Sequence, residues 1–500
     1  MTSEELVREQ LRLRELVDDD PAEAIRCARL IDTTGVLSPL ASRIRSSILV
    51  DAGVQSKQVD AIREGLSLAR EAAAKEDSPE NNYQLAYAID ASIGDHVEGP
   101  RWLAGKELSR RERAESRNLY WRVANNREAS RFVRSYALTN LANQLSHSWR
   151  FGEAHEARVS ALELHPQNGT AALGAAADIG WLIERGADSP LARLEAEKFA
   201  NIAVWNKQRI EYDAGKAAAS QLSALVRHEP ISIQRPSHTN EFLAWLELQR
   251  LALAPNGTLV SHTLDQQDGL VLPPLNDVVA QRSEKAVSMR RMFNILKADF
   301  MVARDLAWRA TKSGDESSTA AFANTFDDSL YGVSIAAQIL ALRAALDLLD
   351  KIAVAANFYF DLGIDNPEKI YFRGLWREKA KGRKTSEMAS TKLTPAVEKV
   401  LGTQIRSLYG LVELADDYRD KEGILGAQQE LRNAGTHRFV LVHESSGSSA
   451  HFHKLPEEFY RSDKRSLESE MFTALRTARS ALQSLTFAVA DHEYVCRCER

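Results

Sequence analysis

The sequence predicts an all-α protein in two parts, with short paired helices in front and a bundle of long helices behind. Ala, Leu, Arg and Glu dominate the first third of the chain, where β-branched runs are scarce, and this composition favours helix. In the rear part, apolar residues recur every three or four positions, which is the period of an amphipathic helix. We expect helical pairs at residues 1–190, a helical and irregular connector with many turn signals at 191–281, and the bundle at 282–500.

Residues 135–168 carry the clearest helix–turn–helix pattern of the front part. A turn is expected around 149–152, and Pro166 ends the second helix. The inner faces of the two helices carry Leu141, Ala142, Leu145, Ala154, Ala161 and Leu164. This unit resembles the tetratricopeptide repeat of about 34 residues, except that Arg158 stands where the repeat usually has an aromatic residue.

Neighbouring stretches extend the repeat pattern. Residues 83–94 look like the first helix of a degenerate unit, residues 41–79 hold one more, and residues 187–227 continue as helix. Stacked repeats need about three units to bury a continuous face. The resemblance implies a concave surface that binds a protein partner or a sensor ligand, and a rigid spacer or dimerisation arm is the alternative.

Three long helices with matched apolar stripes indicate an antiparallel bundle in the rear part. Polar linkers around 380–395 and 444–456 separate them. The stripes run through Ile335, Ile339, Leu342, Leu346, Leu349 and Ile352, through Ile405, Leu408, Val412 and Ala415, and through Met471, Leu475, Ala478, Leu482, Leu485 and Val489.

A motif suited to RNA cleavage lies between the second and third of these helices. Arg432, Asn433 and His437 fall in the sequence LRNAGTHR. Metal-independent cleavage by the RNA 2′-hydroxyl needs a group that moves protons near neutral pH, which an imidazole does. It also needs a fixed cation where negative charge builds on phosphorus, and arginine offers a bidentate fork for phosphate oxygens. These three residues are therefore the candidate catalytic residues.

The spacing of the motif does not by itself complete a site. On a helix, Asn433 and His437 share a face, so Asn433 would orient the imidazole or contact phosphate. Arg432 and His437 would point roughly 140° apart. Either Gly435 breaks the helix and corrects this, or two subunits each contribute an arginine and a histidine.

Structural roles are the alternative for both main residues. Arg432 would then form a surface ion pair with Glu430 or Asp416. His437 would be a partly buried histidine beside the apolar run at 439–442. Periodicity alone favours these structural roles.

Supporting residues are also open to two interpretations. Asp350 would steady the arginine or the histidine of the motif, or else form a helix pair with Lys351 or Arg343. Arg438 would add positive charge at the phosphate.

A basic run with one tryptophan follows the long helix and suits a single-stranded RNA backbone with one stacked base. A solvated, charged helix face is the alternative. The candidate RNA-binding residues are Arg373, Trp376, Arg377, Lys379, Lys381, Arg383 and Lys384.

The motif and its flanks together resemble a HEPN-type ribonuclease domain, in the subgroup found behind tetratricopeptide repeats in prokaryotes. The resemblance is carried by residues 292–308, 339–360 and 431–444, with 242–255 before them. HEPN nucleases are dimers whose motifs face each other, so the resemblance implies a homodimer with a composite site. It also implies a toxin or anti-phage effector regulated by its repeats. A non-catalytic scaffold, or a HEPN partner of a nucleotidyltransferase, is the alternative.

Composition excludes several classes of protein. The net charge of −5 argues against a globally basic nucleic-acid-binding protein, so RNA contacts must come from a local, salt-sensitive patch. Cys27, Cys496 and Cys498 are too few for a disulfide framework, which favours the reducing cytoplasm. Neither a signal peptide nor an apolar stretch of about 18 residues is seen, so no membrane association is expected.

Other sites are weaker. Residues 99–107 miss the P-loop pattern by one residue and lack its hydroxyl side chain. His443, His451 and His453 cluster among serines without an acidic or thiolate partner, which favours a polar loop over a metal site. The predicted reaction uses neither a metal nor a cofactor.

Overall fold

The described residues of the computed structural model form two compact units. The described ranges are 2–93, 101–187, 190–225, 240–254, 268–275, 284–312, 322–323, 329–378, 392–419, 423–444 and 456–498. The first unit comprises the described residues of Met1–His147, Ala154–Trp181 and Leu194–Pro230, and the second those of Ser148–Glu153, Leu182–Arg193 and Ile231–Arg500.

The front part of the chain consists of successive helices. They are α1 (Ser3–Asp19), α2 (Pro21–Ala28), α3 (Ser38–Ser56), α4 (Val59–Lys75), α5 (Pro79–Ile93), α6 (Trp102–Leu108), α7 (Arg110–Asn125), α8 (Arg131–Ser146), α9 (Phe151–Leu164), α10 (Gly169–Leu182), α11 (Pro190–Trp205) and α12 (Lys207–Ser220). Within the first unit α3 packs on α4, α4 on α5, α5 on α7 and α7 on α8. The predicted paired helices of this part are confirmed.

Helices α8 and α9 form the predicted helix–turn–helix unit at 135–168. Five of the six predicted inner residues are buried, and Leu164 is half-buried. Arg158 is buried as well, and its guanidinium bonds to Asp178 at 2.7 Å and to the side-chain oxygens of Asn143 and Ser146. A buried ion pair therefore fills the position where the repeat usually has an aromatic ring.

Among its described residues, the rear part contains seven α-helices, one 3₁₀ helix (Pro367–Lys369) and three strands. The helices are α13 (Glu241–Gln249), α14 (Glu284–Lys312), α15 (Val333–Phe360), α16 (Pro395–Gly402), α17 (Ser407–Arg419), α18 (Gly426–His437) and α19 (Lys464–Cys498). The strands are β1 (Ser329–Leu330), β2 (Phe439–His443) and β3 (Phe459–Asp463).

Helix α15 is central to the second unit because it packs against α14, α18 and α19, while α17 packs on α19. The predicted stripe of α15 faces the core, and Leu346, Leu349 and Ile352 are fully buried. The three predicted amphipathic helices are present, although α17 begins at Ser407, after Ile405. Among the described residues, no helix is both long and apolar enough to cross a membrane.

A small sheet is present that the sequence patterns did not predict. Strand β2 pairs antiparallel with β1 and parallel with β3, with Val440 opposite Tyr460. Strand β2 begins two residues after His437, so the sheet fixes the end of α18.

Candidate functional site

Helix α18 carries the whole motif and runs without a break from Gly426 to His437. Of the two alternatives for completing the site, the helix break at Gly435 is therefore wrong. Gly435 instead lets α18 approach α15 closely, since a Cβ atom there would lie 3.2 Å from Cδ of Arg343 and 3.3 Å from Cγ2 of Ile339. Contacts this short require one of the neighbours to shift, so glycine suits this crossing.

Two carboxylates of α15 hold the side chain of Arg432. Its Nη2 donates to Asp347 Oδ1 and to Asp350 Oδ2, each at 2.8 Å, and its Nε donates to Asp347 Oδ1 at 3.1 Å. The side chain remains 24% exposed. The ion pairs that the structure describes for Arg432 are with Asp347 and Asp350, whereas Asp416 pairs with Arg377.

Arg432 keeps its charge at this position. Burial works to lower its pKa, but the hydrogen bond to Asp350 and the negative charge there raise the pKa above its ordinary value. The hydroxyl of Tyr418 on α17 lies close enough to interact with the guanidinium. Burial raises the pKa of Tyr418, opposed by the charge of Arg432. A charged guanidinium therefore sits between two acids and a neutral phenol.

The other two motif side chains are exposed. Asn433 and His437 both face solvent, and within the described part of the chain no hydrogen bond is found to either side chain. The alternative of a partly buried His437 is therefore wrong. An exposed imidazole in the last turn of α18 can reach a large substrate such as RNA.

Asp350 connects the arginine to a neighbouring segment. Its Oδ1 accepts the backbone N–H of Phe372 at 2.8 Å while its Oδ2 accepts from Arg432. Lys351, an alternative partner, pairs with Asp299 at 2.6 Å. Asp350 thus holds the side chain of Arg432, as one of its two interpretations expected, and a substitution can test this role.

We expect Asp350→Asn to lower the free energy of unfolding by about 1–3 kcal/mol, because a charge-assisted hydrogen bond is lost. Any activity that depends on Arg432 should fall about tenfold because the guanidinium is less well fixed. Thermal melting and steady-state kinetics measure the two effects. Asp361→Asn is the control, since Asp361 is exposed and pairs with Lys285. Equal behaviour of the two variants would show that Asp350 does not hold Arg432.

Arg438 has a structural role in the chain itself. Its Nε donates to the carbonyl of Glu457 at 3.0 Å and its Nη2 to that of Phe459 at 3.3 Å. These bonds attach the end of α18 to the segment leading into β3. Addition of charge at a phosphate by Arg438 therefore remains a proposal.

The prediction that Trp376 and Arg377 bind RNA is wrong, because both side chains are buried. Trp376 is 1% exposed and packs edge-to-face on Phe372. Arg377 forms a buried ion pair with Asp416, with nitrogen–oxygen distances of 2.6–3.0 Å. Arg373 is exposed. The remaining four, Lys379, Lys381, Arg383 and Lys384, lie outside the described residues.

The histidines considered for a metal site are not brought together in the described part. His443 is buried at the end of β2, and His451 and His453 lie outside the described residues. Among the residues that the structure describes, no group of three His, Cys, Asp or Glu side chains is placed to hold a metal ion.

The sequence analysis did not identify two residues that contact Arg432, namely Asp347 and Tyr418. Asp347 lies one helical turn before Asp350, and this spacing of three was the available signal. Tyr418 gave no signal, because its approach to Arg432 depends on how α17 packs.

The long helices of the second unit and the Arg-Asn-x-x-x-His motif on α18 are the features that resemble a HEPN-type domain. Residues 280–492 match the family model of LA2681-like HEPN. The chain therefore carries an LA2681-like HEPN domain there, spanning α14 to α18 and most of α19. HEPN domains include metal-independent ribonucleases, and they typically bind RNA and dimerise. No curated protein and no solved structure matches the chain significantly.

Proposed function

We propose that this protein is a metal-independent endoribonuclease with its active site on α18. The observation that carries the proposal is the pairing, on one helix of a HEPN domain, of an exposed His437 with a charged Arg432 held by Asp347 and Asp350. The arginine is fixed by its neighbours, while the histidine is open to substrate.

The chemistry follows from these side chains. His437 takes the proton of the RNA 2′-hydroxyl, whose oxygen attacks the adjacent phosphorus. The bond from phosphorus to the 5′-oxygen breaks, and this oxygen leaves with a proton supplied by a second acid. Arg432 stabilises the negative charge on the non-bridging oxygens. Asn433 orients the imidazole or contacts phosphate. The products are a 2′,3′-cyclic phosphate and a 5′-hydroxyl end.

The proposed site is composite, formed by two copies of the chain. Because α18 is unbroken, Arg432 and His437 of one copy point to different sides of the helix. Each of the two sites would take its arginine from one copy and its histidine from the other, and a water molecule would protonate the leaving oxygen. Exposed apolar side chains beside the motif suit a second copy: Phe439 is 70% exposed, and Leu340 on α15, next to Ile339, is also exposed.

The wider role follows from the resemblance to HEPN proteins behind tetratricopeptide repeats. We propose a prokaryotic toxin or anti-phage effector whose helical repeats bind a protein partner or sensor ligand. The RNA contacts of Arg373, and of the four basic residues outside the described ranges, are part of this proposal.

The test uses the full chain, an end-labelled oligoribonucleotide, total bacterial RNA and EDTA throughout. We expect cleavage that survives the chelator, with 2′,3′-cyclic phosphate ends, and no cleavage of a 2′-deoxy oligonucleotide. Loss of cleavage in EDTA would overturn the metal-independent mechanism. If no RNA is cut, with or without an extract of phage-infected cells, the non-catalytic scaffold is favoured. Transfer of labelled adenylate to the chain by a nucleotidyltransferase would favour the role of transferase partner.

A further inference from the structure

The segment Ser148–Glu153 lies far in sequence from the matched residues 280–492, yet it is part of the second unit. The Ser148 hydroxyl donates to the carboxylate of Glu413 on α17, and Glu153 accepts from the Ser480 hydroxyl on α19 at 2.7 Å. A Cβ atom on Gly410 would lie 3.3 Å from the carbonyl oxygen of Ser148. The absence of a side chain at this glycine admits the segment against α17.

Arg150 is the centre of this segment. Its side chain is fully buried and forms ion pairs with Asp417 and with Glu153, the latter through two hydrogen bonds of 2.7 Å. Burial works to lower the pKa of Arg150, but the two carboxylates raise it, so the guanidinium stays charged. Buried charges are tolerated only when their partners are well placed, so the position of Asp417 depends on Arg150.

Asp417 connects this ion pair to the proposed active site. It precedes Tyr418, whose phenol interacts with the guanidinium of Arg432. Its carbonyl accepts the N–H of Leu425, the residue before α18, at 3.3 Å. A side chain at Gly423 would clash with the same carbonyl. Asp417 therefore fixes both the phenol beside Arg432 and the start of the helix that carries Arg432.

We infer that Arg150 is a positioning residue for Arg432, acting through Asp417 and Tyr418. The catalytic unit then includes six residues, from the turn after α8 and the first turn of α9, that lie outside the family match. The catalytic part of this inference rests on the proposed ribonuclease function, whereas the placement of Tyr418 does not.

The test compares two buried arginines of the same chain. Arg150→Met and Arg150→Lys change the segment, and Arg158→Met removes the buried partner of Asp178 as a matched control. Tyr418 is replaced by 3-fluorotyrosine in the full chain, and its fluorine NMR shift reports its surroundings. The second readout is kcat and KM on an end-labelled oligoribonucleotide.

We expect Arg150→Met to move the fluorine signal and to lower kcat about 10- to 100-fold, as a small misplacement of a catalytic group does, with KM within about twofold. Arg150→Lys should keep part of kcat because the charge remains. Arg158→Met should lower the melting temperature yet leave the signal and kcat unchanged. If Arg150→Met does not fold, the lysine variant gives the comparison.

Two results would overturn the inference: an unchanged signal and kcat in folded Arg150 variants, or equal changes in Arg158→Met. Failure of the proposed function looks different. In that case the wild type cuts no RNA. The fluorine signal of Tyr418 still shifts in the Arg150 variants and stays unchanged in Arg158→Met, which supports the placement of Tyr418 by Arg150.

Discussion

Replacing His437 with alanine is expected to lower kcat for RNA cleavage about 10²- to 10⁴-fold, the usual contribution of a positioned proton-transfer group. The melting temperature should stay the same, because the side chain is exposed and has no hydrogen-bonding partner within the described ranges. KM should change little, since the phosphate contacts of Arg432 remain. Single-turnover cleavage and differential scanning fluorimetry measure these effects on one preparation.

Glu430→Ala is the matched control for His437→Ala, since Glu430 is another exposed residue of α18. It should retain wild-type kcat and a similar melting temperature. Full activity in His437→Ala would remove the imidazole from the mechanism. A large drop in melting temperature would instead point to a structural role for this histidine.

Mixed dimers of an Arg432→Ala chain and a His437→Ala chain are expected to regain about half of the wild-type activity, as one of two symmetry-related sites is restored. Each variant alone should be inactive, because every site lacks one of the two groups. In the mixed dimer, one site takes its arginine and its histidine from the two unaltered positions. Co-expression with two affinity tags and sequential purification give the mixed species, whose cleavage rate is then compared with the wild type.

The dimer itself is checked with Phe439→Glu, which places a charge on the exposed apolar side chain beside the motif. We expect a monomer by light scattering and loss of cleavage. Inactive mixed dimers would place both groups of a site in one chain. An active monomeric Phe439→Glu would show that the second copy is dispensable.

The helices were predictable because burial repeats with the helical period. The stripe from Ile335 to Ile352 is a local pattern, and α15 follows it to the core. The sheet was not predictable in the same way. Strand β2 is a five-residue apolar run whose parallel partner β3 lies about twenty positions later, and a run this short does not by itself separate strand from helix.

The site shows the same division between local and distant information. The motif on α18 and its possible support from Asp350 could be proposed from sequence, because residue type and spacing carry the chemistry. The burial of Trp376 and Arg377 could not, since a basic run looks alike whether solvated or paired. Arg377 pairs with Asp416, which lies 39 positions later in the sequence. Only the packed structure shows that these two residues meet.

The order in which the chain is synthesised matters for the two neighbouring aspartates of α17. Asp416 takes its counterion from Arg377 and Asp417 takes its own from Arg150. Both arginines leave the ribosome before either aspartate does. During synthesis, α17 thus meets its cations already present on the nascent chain. Asp416 and Asp417 can therefore pair as soon as α17 packs, and neither carboxylate has to be buried without a counterion, which would be costly.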